Sequence, residues 1–470
     1  MMNFPKLSRA ALATACAATL LTGCAGMRHE PLPAVPVPAQ WSGVQPDTPA
    51  AAAPAQAIAP DFWRAFGDPV LDKLIADALA TNNDLAAAGI RVYQAQLKAG
   101  LADTNLTPGV TVTGNEQVSR TLDTHIMART STVQAQASYE LDLWGKLAAQ
   151  RDLARWEFEA TEADRQTARL SLIATTAGLY WQIGYLNQQI AYAEANVAYA
   201  ERTLALVRSR YAAGALSGLD VAQAEQTLSQ QRALLTQWVQ QRAENRNALA
   251  ILFDRPPEQA AAEPSALPDG ALPVVPAGLP AELLGRRPDL RSAELRLKGM
   301  VANVDITRTS FYPTFTLTGS VGSQSPSLER VIANPIGTLG LGLSLPFIQW
   351  NTMQLQIKVS QAQYEEGVVK FRKTLYTALS EVENALSARE QLAREGEQRA
   401  LSLSQAQRAE QLARSRFLAG ATGVQPWLDQ QRTLRDAQSA DVLVRLNRLN
   451  NRMTLYKALG GAGNPGDVPG

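Results

Sequence analysis

Leu172, Leu179, Leu186, Ala193, Ala200 and Val207 stand seven residues apart, and Ile183, Ile190, Val197, Leu204 and Tyr211 form a second such series displaced by four. Two interleaved seven-residue series make the apolar seam of a coiled coil, and this one is sustained for more than five repeats. The pattern predicts a helix from about Gly145 to Ala213, roughly 100 Å long at about 1.5 Å per residue. Such a rod exceeds any globular core, so it must pack along its length against other rods. Beyond Gly214, Val221, Leu228, Leu235 and Leu249 begin another series. The chain therefore turns and runs back antiparallel over about 219–252.

The turn itself occurs twice. "RSRYAAGALSGLD", residues 208–220, returns 206 residues later as "RSRFLAGATGVQP". At an offset of 205, Asp84-Leu85 falls on Asp289-Leu290, Pro108 on Pro313 and Gly114 on Gly319, and at 206 Trp144 falls on Trp350 and Gly214 on Gly420. Self-similarity at a fixed offset marks structural copies. The first copy spans 61–270 and the second 271–460, joined across the Pro-rich "DRPPEQAAAEPSALPDGALPVVPAGLP". In the second, a long helix is expected over about 353–418 and a return helix over about 425–459. Its seam is less regular and richer in Gln and Arg. Aromatic residues make up only 6% of the chain, a composition that suits long helices packed through small side chains.

Each copy begins with a different period. In "TVQAQASYELDL", Val133, Ala135, Ala137, Tyr139, Leu141 and Leu143 alternate with Thr132, Gln134, Gln136, Ser138, Glu140 and Asp142. Period two over a dozen residues means strand, and the weaker alternation upstream makes 108–143 a hairpin. The second copy repeats it over about 313–348, where Leu339, Leu341, Leu343 and Leu345 alternate with Gly340, Gly342 and Ser344. Strands of this length, apolar on one face and polar on the other, have the dyad pattern of a transmembrane barrel; a half-buried sheet in a soluble domain would alternate in the same way. Two hairpins supply four strands, whereas a closed membrane barrel needs about eight or more. Several chains must share it.

The N-terminus reads as a secretory signal, with Lys6 and Arg9 before the apolar "AALATACAATLL" and a Leu21-Thr22-Gly23-Cys24 ending. That ending resembles the bacterial lipobox, in which the cysteine becomes the acylated first residue. Residues 1–23 are then a signal peptide, Cys24 carries lipid, and 24–60, dense in Pro and Ala, is an extended tether. Residues 461–470 read as a flexible tail. With Cys16 lost, no intramolecular disulfide is possible.

Chemistry has no visible foothold. His29 and His125 are isolated, without metal-ligand spacing. No G-x-S-x-G elbow, P-loop, H-E-x-x-H or cysteine nucleophile stands in the mature chain. No enzyme activity, cofactor or metal is expected, and the formal charge of +1 leaves no nucleic-acid footprint.

"SYELDLWGK", "VPAGLPAELLGRRPDLRSAEL", "RTSFYPTFTLTGS" and the paired "RSR[YF]xxG" turns together resemble the TolC-like outer-membrane efflux proteins, in the NodT/OprM-like lipoprotein branch, over about Asp61 to Leu459. The resemblance implies a mainly α fold with a membrane β-barrel. Long antiparallel helices form a periplasmic α-barrel, and four strands per chain complete a 12-stranded barrel in a homotrimer. It implies the exit duct of a tripartite efflux system in the Gram-negative outer membrane. Partners would be outer-membrane lipid, a periplasmic adaptor and an inner-membrane pump, most often of the resistance-nodulation-division class. The family's turns meet the adaptor, which places Gly214, Ala215, Leu216, Ser217, Gly420, Ala421, Thr422 and Gly423 at that contact and makes Tyr211, Phe417 and Thr422 candidates for the aperture.

Two departures stand out. Where relatives carry "PxFDxGR", this chain reads Pro346-Phe347-Ile348-Gln349-Trp350-Asn351-Thr352, without the Asp and Arg. Some relatives place an acid after the second turn glycine to form a closing ring, and here Thr422 stands there. Two other readings compete with the efflux duct: an anchored helical scaffold, which has no use for the alternating strands, and the exit duct of a type I secretion system.

Overall fold

A computed structural model describes residues 36–41, 59–259, 261–275, 280–326 and 335–461. The expected signal peptide, Cys24, most of the tether and 462–470 lie outside the described residues. Besides short helical turns, the described elements run, in order, α1 Pro69–Thr81, α2 Asn83–Thr104, β1 Gly109–Arg120, β2 Met127–Leu141, α3 Lys146–Ala212, α4 Gly218–Leu252, α5 Pro288–Thr309, β3 Thr314–Ser325, β4 Pro335–Ser344, α6 Trp350–Leu418 and α7 Gln425–Ala458. The chain divides into two compact units, and β1 to β4 fall in the one that contains Ala99–Trp156 and Leu297–Val368.

In that unit the strands form one antiparallel sheet in sequence order. Its register keeps the two chemistries apart. Val110 pairs with Ala137, Ala137 with Gly319 and Gly319 with Leu339, while Val112, Ala135 and Val321 align one step along. On the opposite face Thr111 pairs with Gln136, Gln136 with Ser320 and Ser320 with Thr338. The apolar face is bare in the single chain: Leu339 is 88% exposed and Val112 72%. The strands are 12, 15, 12 and 10 residues long, enough to cross a bilayer when tilted, which needs about 9 to 11. Among the described residues no helix is long and apolar enough to cross a membrane.

The junction motif of the first copy explains itself in this unit. The Asp142 carboxylate accepts from the backbone N–H of Leu147 and Ala148, at 3.0 and 2.9 Å, and so covers the first orphan donors of α3. Gly145 supplies the left-handed φ of 71° between strand and helix. Trp144 donates its indole N–H to the Pro313 carbonyl at 2.7 Å and stands edge-on to Tyr312. In the second copy this lock is missing: a single 3-10 turn, Pro346–Ile348, leads into α6, and Trp350 is 62% exposed.

The other unit holds Val35–Lys98, Glu157–Arg296 and the chain from Val369 on. Along α3 the predicted seam is inside: Leu172, Ile183, Leu186, Ile190, Ala193, Ala200, Leu204 and Val207 are all buried. Each Leu or Ile so covered contributes about 1.5 to 3 kcal/mol. A larger core gathers Trp181 and Ile173 of α3, Leu71 and Ile75 of α1, Leu375 and Val382 of α6 and Leu446 and Leu455 of α7. Arg287, from the "GRRPDL" stretch, fastens the second copy's entry. Its guanidinium grips Asp289 at 3.0 and 2.7 Å and reaches Glu381 at 2.7 Å and the Ala458 carbonyl at 3.0 Å. A buried guanidinium persists only when its donors are answered in this way.

Candidate functional site

Both repeated turns fall in the second unit, and their backbones match. In the first, Gly214 N donates to Tyr211 O at 2.9 Å and Ala215 N to Arg210 O at 2.9 Å. In the second, Gly420 N donates to Phe417 O and Ala421 N to Arg416 O, each at 3.0 Å. This pair of reversed bonds is the Schellman helix ending, which needs a left-handed residue. Gly214 and Gly420 supply it at φ 73° and 74°. A Cβ at either would meet nothing within 4 Å, so backbone conformation and not crowding selects glycine.

After the first turn Ser217 caps α4 through a capping box with Asp220. The Asp220 carboxylate accepts from Ser217 N at 2.8 Å and Ser217 Oγ at 2.6 Å, and a backbone hydrogen bond from Val424 also reaches it. These donors, the Ser217 hydroxyl foremost, hold its carboxyl below the usual range. A depressed carboxylate stabilises the fold above its unfolded value of about 3.9 and loses that effect as pH falls through the folded value. Amide protection in the first turn of α4 is therefore expected to be constant from neutrality to about pH 5 and to fall below about pH 4. Ser217→Ala should lower it about fivefold at pH 7, matching about 1 kcal/mol for a lost cap. Unchanged protection factors by hydrogen exchange would contradict this assignment.

Between the turns lies a small core of Leu204, Val207, Ala224, Leu228, Phe417, Val424, Trp427 and Leu428. Phe417 and Trp427 stack with centroids 5.1 Å apart. Glu410, itself buried, accepts from Tyr199 Oη at 2.6 Å and from Trp427 Nε1 at 2.8 Å. Burial and then the bond to Glu410 push the Tyr199 hydroxyl up to about 12. Arg210 closes the cluster: its guanidinium lies 4.6 Å over the Phe417 ring and donates to the carbonyls of Phe417 and Leu418 at 2.8 and 2.9 Å. A cation at those carbonyls answers the negative end of the α6 dipole.

The expected contact residues divide accordingly. Gly214, Ala215, Ser217, Gly420, Ala421 and Gly423 are exposed, whereas Leu216 and Thr422 are half-buried. Tyr211 is 51% exposed. Phe417, expected at an aperture, is fully buried within the single chain, under Arg210 and against Trp427. The sequence reading also missed Arg210, Glu410, Trp427 and Asp220. The repeated Arg-aromatic pair of "SRY" and "SRF" was the available signal. Among the described residues no group of three His, Cys, Asp or Glu could hold a metal ion.

The outer membrane efflux protein model matches residues 74–253 and 279–461, a double match that follows the internal duplication. The chain belongs to the outer membrane efflux protein family. Over 427 residues it is 34% identical to the pyoverdine export outer membrane protein OpmQ of Pseudomonas putida, covering 87% of this chain and 90% of that one. It is 30% identical to the toluene efflux pump outer membrane protein TtgC of the same species, covering 97% and 96%. Among solved structures, the open state of the Neisseria gonorrhoeae MtrE outer membrane channel superposes with a TM-score of 0.79 at 28% identity, over 93% and 98% of the two chains. Within this family the chain is a TolC-like outer-membrane efflux channel and not an enzyme. The bare apolar face of its sheet is thus the face a bilayer covers.

Proposed function

We propose that three copies of the chain form the passive exit duct of a tripartite exporter, fed by a resistance-nodulation-division pump of the inner membrane through a periplasmic adaptor. One observation carries this reading. Among the described residues the sheet ends on two unpaired edges, β1 and β4, and it has one apolar and one polar face. Inside a bilayer an open edge is untenable. Four strands per chain in a trimer give twelve, an even number within the known range of about 8 to 26, and leave no edge. The exposed residues of the paired turns, Gly214, Ala215 and Ser217 with Gly420, Ala421 and Gly423, offer the adaptor its contacts.

Relatives named for such different cargoes as pyoverdine and toluene fit a duct whose cargo is chosen upstream. Cross-linking of the purified protein should stop at trimer, and the trimer should carry ion current across a planar bilayer. A chain that stays monomeric, or a trimer that leaves bilayers silent, would overturn the reading.

Cys24, following Leu21-Thr22-Gly23, is the proposed lipid anchor. Cys24→Ser should abolish incorporation of a clickable fatty acid, and the strands should still hold much of the protein in the membrane. Persistent labelling would remove the lipoprotein assignment.

A further inference from the structure

The Arg210 clamp has a twin in the sequence that closes on nothing among the described residues. At the offset of 206, Arg210 corresponds to Arg416, Phe417 to Tyr211 and Leu418 to Ala212. The two turns share their left-handed glycines and their reversed hydrogen bonds. Their partners differ. Phe417 is fully buried beneath Arg210, whereas Tyr211 is 51% exposed, although it ends a seam whose earlier members Ile183, Ile190 and Leu204 are buried and Val197 half-buried. Arg416 is exposed, and among the described residues its side chain makes no hydrogen bond or ion pair. Its counterpart in the clamp is half-buried and makes two. No side chain among the described residues reaches the carbonyls of Tyr211 and Ala212.

We infer that Arg416 of one protomer closes over Tyr211 of the neighbouring protomer and donates to the carbonyls of its Tyr211 and Ala212. The inference rests on the homotrimer proposed above. In a ring of three two-copy chains, the step that carries copy one onto copy two carries copy two onto copy one of the next chain. The clamp found within the chain is then repeated between chains. A guanidinium over a tyrosine ring keeps the cation–π attraction that phenylalanine provides inside the chain, and it meets the same dipole end. Six equivalent clamps result, three inside chains and three between them. Only the second kind depends on assembly, and they tie each helix pair to its neighbour at the turns.

The test places cysteines at both positions of the full-length chain. Tyr211→Cys with Arg416→Cys, treated in membranes with a short bifunctional thiol reagent, should give about tenfold more covalent dimer and trimer than either single variant, because a fixed neighbour has a high effective concentration. Co-expressed chains carrying one substitution each should cross-link to each other, which no contact inside a chain can produce. An independent amine cross-linker scores assembly on the same samples. Trimer by that reagent without thiol-linked bands overturns this clamp while leaving the duct intact. Absence of trimer in the unsubstituted protein overturns the trimer reading and the clamp with it. If the double variant alone fails to assemble, benzoylphenylalanine at position 211 of the otherwise unchanged chain is the deciding probe. Capture of the segment around Arg416 of another chain supports the clamp, and capture confined to its own chain overturns it.

Discussion

Ala137→Arg is expected to reduce heat-resistant trimer by well over tenfold, while Gln136→Arg leaves it near the level of the unsubstituted protein. The two residues are neighbours on β2, yet the register sends them to opposite faces. Ala137 aligns with Val110, Gly319 and Leu339, level with the midpoints of β3 and β4, and Gln136 aligns with Thr111, Ser320 and Thr338. Arginine on the lipid side near mid-membrane costs about 2 to 4 kcal/mol in each chain, and a trimer incurs that cost three times. On the polar side the guanidinium stays hydrated. Equal trimer yields on semi-native gels would contradict the assigned faces.

The second large effect concerns the turns. Leu219→Trp combined with Ala421→Trp is expected to abolish export and cross-linking to the adaptor while leaving protein level and trimer unchanged. Leu219 is 67% exposed and Ala421 is exposed, so neither substitution disturbs the core between the hairpins. Ser217 is the poorer probe despite its exposure, because it caps α4. Accumulation of a fluorescent export substrate in cells reports the first outcome and pull-down of cross-linked adaptor the second. Normal export with normal cross-linking would mean that docking occurs elsewhere and that the turns serve only to reverse the chain.

The long first helix was legible because its seam is apolar at nearly every seventh position. The corresponding seam of α6 was obscured by polar residues whose partners lie far along the chain. Arg389, Gly396, Leu403, Glu410 and Phe417 occupy the places of Ile183, Ile190, Val197, Leu204 and Tyr211. Arg389 reaches the Val275 carbonyl at 3.4 Å, and Glu410 is satisfied by Tyr199 and Trp427. Periodicity counts such positions as breaks, although the structure fills them. Strand parity was legible for a related reason: period two is local, and the pairing that aligns four strands preserves it. The burial of Phe417 was not legible, since it depends on Arg210 and Trp427, one of them 207 residues away by the bond to its carbonyl. Residue type alone gave an aromatic beside a glycine turn, which fits a gate and a core equally well.

The seam in α3 also makes the length of these helices a stepwise quantity. At about 3.6 residues per turn, deleting three or four residues swings everything beyond the deletion by some 40 to 60°, whereas deleting seven swings it by only about 20°. Only whole repeats keep the buried side inward, so insertions and deletions survive in increments of about 10.5 Å. The clamp adds a second restriction. Arg210 on α3 must stay level with the Phe417 and Leu418 carbonyls on α6, so a repeat removed from one copy has to be removed from the other. Each helix must also shorten with the one that returns beside it. A viable change of length therefore requires four matched events in one gene, which favours duplication or exchange of whole segments over the gradual accumulation of small indels.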